Sequence, residues 1–142
     1  MTDTTADLDL ASGVSAFESK HFTTAQRLLS PLSDLGHPEA LFRMAIMAQN
    51  GLGMVRNEAN AYNWMRAAAE QGHGLAQHGL GFMYMQGECV AQNGGEAVKW
   101  FTLAAAQGLA GSQTTLGMMY EQGIGVEKDP DEAQRWYKLA GF

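Results

Sequence analysis

The chain has 142 residues, 46% of them hydrophobic, with a formal charge of −6 and a sequence pI near 5.0. That length suits one compact domain, and nine scattered Lys and Arg leave no electrostatic footprint for a phosphate backbone, which argues against nucleic acid as a partner. Met1-Thr2-Asp3-Thr4-Thr5 has neither a basic start nor an apolar run, and no later stretch approaches the roughly 20 apolar residues of a membrane span, so the expected location is the cytoplasm, with which a single Cys89 agrees.

Trp64, Trp100 and Trp136 recur every 36 residues, as do Gly51, Gly87 and Gly123, and Ala61, Ala97 and Ala133. A period of this size belongs to stacked helix pairs, in which each unit buries its apolar face only against its neighbours. The expected fold is all-α: an α/α superhelix (solenoid) of about four antiparallel helix pairs in a single repeat domain, 1–142. Its units are a degenerate first one at 6–36 and repeats at 37–72, 73–108 and 109–142.

In the first unit Leu10, Val14 and Phe17, then Phe22, Ala25, Leu28, Leu29 and Leu32, fall at helical spacing. Pro31 should kink or shorten the second of these helices, because it removes an amide donor and clashes with the preceding turn. Leu28 stands where the tryptophan should be, and the intervening loop is trimmed. Each full repeat then has a first helix (A) closed by Gly51, Gly87 or Gly123, a loop of about ten residues, and a second helix (B) closed in two repeats by Gly72 and Gly108. In the middle repeat helix A carries Ala76, Leu80, Met83 and Tyr84, and helix B carries Ala97, Trp100, Phe101 and Ala104. Pro38 suits a first turn, and Asp129 before Pro130 is the expected N-cap of the last helix. Gly81 and Gly117 lie inside helix A, where glycine costs about 1 kcal/mol against alanine, so they are expected to let helix B's backbone approach.

The pattern A-x-x-x-L-G-x-x-Y-x-x-G, then A-x-x-W-[FY]-x-x-A-A-x-x-G, resembles the Sel-one-like repeat family, relatives of the tetratricopeptide repeats. It is carried by Ala76, Leu80, Gly81, Tyr84, Gly87, Ala97, Trp100, Phe101, Ala104, Ala105 and Gly108, and again by Leu116, Gly117, Tyr120, Gly123, Ala133, Trp136, Tyr137 and Ala140. The first full copy departs from it at Ala45, Ala48 and Met65. The resemblance implies a tetratricopeptide-like first unit and a bacterial adaptor between proteins, without naming the partner. Some relatives carry a disulfide in every unit; with one cysteine this chain departs from them.

Chemistry is hard to assemble. His37 and His73 are repeat equivalents a full unit apart, His73 and His78 do not share a helical face, and no second Cys completes a ligand set, so no metal, cofactor or enzyme activity is expected. Gly51-x-Gly53 and Gly79-x-Gly81 lack the preceding strand a phosphate cradle needs. Cys89 reads as an incidental thiol. What remains is a non-enzymatic scaffold holding a protein or peptide on the concave side, lined by helix A in resembling folds. The candidate groove residues are Phe42, Ile46, Gln49, His78, Phe82, Met85, Met118 and Glu121, with the stripe Ile46, Phe82 and Met118 either groove or core. A second candidate surface, Tyr137, Leu139 and Phe142, suggests a homodimer or a place in a larger complex.

Overall fold

The computed structural model describes residues 4–142. Eight helices follow one another: α1 (Thr4–Glu18), α2 (Phe22–Asp34), α3 (Pro38–Asn50), α4 (Glu58–Glu70), α5 (Gly74–Gln86), α6 (Gly94–Ala106), α7 (Ala110–Gln122) and α8 (Pro130–Leu139). Among the described residues there is no strand. The helices form two compact units, Met1–His73 and Gly74–Phe142. In the first, α1 pairs with α2 and α3 with α4, while α2 lies against α3; in the second, α5 pairs with α6 and α7 with α8, while α6 lies against α7.

Local chemistry fixes where the second helix of each repeat starts. Asn57, Asn93 and Asp129 stand 36 residues apart. Each side-chain oxygen accepts the backbone N–H three residues on, from Asn60 at 2.9 Å, Glu96 at 3.1 Å and Glu132 at 3.1 Å. Such a cap is worth about 1 kcal/mol. The spacing had singled out Asp129 alone, yet an asparagine carbonyl accepts the same bond. Gly51, Gly87 and Gly123 end the first helices at φ of 67°, 69° and 73°, the left-handed turn that lets the chain leave the helix. Of the two effects expected of Pro31, shortening is corrected: α2 runs on through it to Asp34. The carbonyl that loses its donor belongs to Arg27, an exposed residue, where water can serve it.

The reason for the glycines inside helix A also differs from the expected one. A Cβ added at Gly81 would lie 2.9–3.0 Å from ring carbons of Phe101, and one at Gly117 would lie 2.5–2.6 Å from Tyr137. What comes close is an aromatic ring of helix B, not its backbone. Gly13 makes the same room for Leu29, whose Cδ2 would stand 2.5 Å from an added Cβ. In the repeat between, Ala45 replaces the glycine and Met65 the ring, and both are buried. A thioether chain can bend around a methyl group that a flat ring cannot.

The core of the first unit gathers Ala25, Leu29, Leu32, Ala40, Met44 and Met47, with Phe17, Phe22 and Trp64 packed on it. In the second unit Leu80, Met83, Phe101, Leu116 and Met119 are fully buried, and Trp100 is 7% exposed. Burying a tryptophan removes roughly 150–250 Å² from water, a gross gain of about 4–6 kcal/mol at about 25 cal/mol per Å² that sets an upper bound.

Candidate functional site

In the first unit, α3 carries Phe42, Ile46 and Gln49. Phe42 is buried, its ring stacked 4.8 Å from that of His73, while Ile46 and Gln49 are half-buried. His73 is held in turn by Glu39: its Nε2 lies 2.7 Å from Glu39 Oε2 and, facing a carboxylate, carries the proton. The Arg43 Nε–H donates to Glu39 Oε1 at 2.9 Å, and its guanidinium lies 4.8 Å from the Phe17 ring centre and 3.6 Å from Glu18. Burial pushes the Glu39 carboxyl up, but the hydrogen bonds from His73 and Arg43 and their charge outweigh it and hold it below its ordinary 4.5.

In the second unit α5 and α7 carry the remaining candidates. His78 is half-buried in an aromatic cluster: its ring meets Phe82 edge to face at 4.9 Å and Phe101 at 5.4 Å, and Phe82 meets Phe101 at 5.1 Å. Its Nδ1 lies 2.6 Å from Ser112 Oγ, and burial pulls the ring's pKa below 6.5. The spacing had offered no serine–histidine pair, because the two residues stand in different repeats. Ser112 is fully buried, and the bond satisfies its hydroxyl and the imidazole together. His78 and Ser112 also line a shallow pocket of about 110 Å³ with Leu75 and Leu109.

Phe82, Met85 and Met118 are half-buried and Glu121 is exposed. Glu121 faces Tyr137 of α8, whose hydroxyl is raised above 10 by burial and by that carboxylate. Near the end of α8 the Tyr137 and Phe142 rings stand 6.2 Å apart, with Leu139 and Phe142 largely exposed. Among the described residues no group of three or more His, Cys, Asp or Glu is placed to hold a metal ion, and no helix is long and apolar enough to cross a membrane.

Several contributors escaped the spacing. Glu39, Arg43 and Ser112 act across 34 residues or between helices, and Gln77, nearly buried, accepts from Gln107 Nε2 at 2.9 Å. Glutamine inside a helix gives no signal until its partner is known; the one hint was Gln77 and Gln113 standing 36 residues apart on otherwise apolar faces.

Among the described residues eight helices form hairpins, the last three of them repeating every 36 residues, and this defines a helical-repeat protein, a fold of the superhelix class. The chain belongs to the Sel1 repeat family: the model of the Sel1 repeat matches residues 38–73, 74–109 and 110–141, one residue later than the unit starts read from the spacing. Members of this family serve typically as protein-interaction modules. No curated protein matches the chain. Among solved structures it is similar to a Sel1 repeat protein from Oxalobacter formigenes, at 32% identity and a TM-score of 0.88 over 93% of this chain and 53% of that one. It is likewise similar to c5321, a protective antigen of uropathogenic Escherichia coli with an SLR fold, at 34% identity and a TM-score of 0.89 over 95% of this chain and 30% of that one. The chain therefore spans about half of the first and under a third of the second. Cysteine rich protein B of Helicobacter pylori shares the fold, at 18% identity and a TM-score of 0.66 over 84% of this chain and 86% of that one.

Proposed function

We propose that the protein is a non-enzymatic adaptor that holds an extended peptide or a short amphipathic helix of a partner protein on its helix A faces, in the bacterial cytoplasm. The observation that supports this reading is that α5 leaves Phe82 and Met85 half-buried while α7, at the same repeat positions, leaves Met118 half-buried and Glu121 exposed. Methionine adapts to apolar shapes, and a carboxylate beside it can fix a peptide's direction. Ile46 and Gln49 hold the corresponding positions on α3 of the first unit, an apolar side chain beside an uncharged amide. Phe42 and His78 serve by positioning, since one is buried beneath His73 and the other is packed between Phe82 and Phe101.

The methionines supply the test. With ¹³C-methyl labels and a peptide selected by display on the purified chain, the Met85 and Met118 signals should shift on binding, while those of Met47, Met83 and Met119, at most 1% exposed, should stay. Met85→Asp with Met118→Asp should abolish binding without loss of helix. Binding that survives the double variant, or shifts confined to other methionines, removes the proposal.

A further inference from the structure

The strip shared by α5 and α7 has a composition of its own. The two helices touch where His78 Nδ1 lies 2.6 Å from Ser112 Oγ. Beyond that contact α5 carries half-buried Phe82 and, four residues on, exposed Gln86; α7 repeats the order with half-buried Met118 and exposed Gln122. Residues four apart share a helical face, so each helix offers an apolar side chain followed by an amide. The two helices hold no Lys or Arg, and the one acidic residue on them is Glu121, three residues after Met118. A further hairpin stacked beyond α8 would lie beside α7 on the side away from α5 and leave this strip as it is.

Packed helices run about 8–10 Å apart, and that interval selects the backbone able to cross them. A β-strand returns a side chain to one face every second residue, about 6.8 Å, which is too short; two such steps, about 13 Å, are too long. A polyproline II segment returns one every third residue, about 9.3 Å. It also has no internal hydrogen bonds, so its backbone groups are left for Gln86 and Gln122, whereas a bound helix would have satisfied its own. Charge selects further: a basic side chain meets Glu121 and no competing cation on either helix. Glu121 also takes the Tyr137 hydroxyl, but a carboxylate accepts several bonds. Resting on the adaptor reading above, we infer that the partner segment is a polyproline II stretch with an apolar residue at every third position. One such residue lies on Phe82 and the next on Met118, with a Lys or Arg of the partner opposite Glu121.

Display selection on the full chain, followed by synthesis of the enriched peptides, tests this. They should carry proline, apolar residues three apart and a basic residue, and their Cα chemical shifts when bound should be those of polyproline II. Replacing that Lys or Arg of the peptide by Glu should weaken binding by about tenfold or more. Glu121→Arg, at an exposed position, should reverse the preference between the two peptides. Gln86→Leu with Gln122→Leu should weaken the selected peptide by about fivefold or more while circular dichroism shows the helices unchanged. Peptides that move the Met85 and Met118 signals but bind as helices or without a basic residue overturn this inference and leave the groove standing. So does a Glu121→Arg chain that keeps the wild-type preference. If no selected peptide moves Met85 or Met118, the groove falls, and this inference with it.

Discussion

The repeats 38–73 and 74–109 share their spacing and close in opposite ways. Where the first sets Glu39 against His73, the second has Leu75 and Leu109, 36 residues on; where the first buries Phe42 beneath His73, the second places His78 among Phe82 and Phe101. One junction is a carboxylate hydrogen-bonded to an imidazole, with a ring laid on it. The other is apolar, with its polar group turned to Ser112. The frame of tryptophan, alanine and glycine is thus indifferent to the chemistry at the seam, because helix caps and the buried helix B column already hold the hairpin. What varies at the seam can serve other ends.

The largest test of this contrast is the tryptophan column. Trp100→Ala should lower stability by about 3–5 kcal/mol, read by urea unfolding, whereas Trp64→Ala, at a half-buried site, should lose less. Equal losses would show that the two repeats use the frame alike. Next comes the pair of Gly81 with Phe101. Gly81→Ala should destabilise by about 1–3 kcal/mol through overpacking, and adding Phe101→Met, which copies Ala45 and Met65, should return part of that loss. Strict additivity in the double-mutant cycle would break the idea that these residues exchange as a pair. Smaller again is Cys89, which holds a φ of 65° in the column where Gly53 and Gly125 stand at 67° and 72°. Cys89→Gly should stabilise by about 0.5–1 kcal/mol by relieving a left-handed strain, seen as a higher Tm.

The mildest effect separates the repeats by pH. His78 binds its proton less readily folded than unfolded, so the stability it contributes is present above 6.5 and fades as pH falls from there. Glu39 also has a folded pKa below its unfolded 4.5, so its contribution is kept down to about that pH and lost beneath it. Denaturation midpoints followed across pH should show His78→Asn flattening the slope that begins below 6.5, and Glu39→Gln flattening only the part below 4.5.

Much of the fold was legible because a repeat states its pattern three times: Gly51, Gly87 and Gly123 mark the turns, and Trp64, Trp100 and Trp136 mark helix B. Residues whose partner lies in another helix were not. Nothing in the spacing shows that Gly81 answers Phe101 twenty positions away until the hairpin is closed, or that Glu39 waits for His73. Of the candidate site, the helices and registers could be read, but side-chain burial could not, since it depends on neighbours contributed by distant segments. Phe42 and Ile46 look alike in sequence and differ in what covers them.

The match between a small residue on one helix and a broad one on the next also bears on how such chains can be recombined. Exchanging repeats by cutting in the loop between Gly87 and Asn93 would deliver a glycine from one parent and a methionine from the other, leaving a void, or an alanine and a ring, creating a clash. Cuts placed just after Gly72 or Gly108 keep both partners in the same inherited block. Crossover points in this protein are therefore unequal, and libraries built on whole hairpins should retain folded members that libraries built on single helices discard.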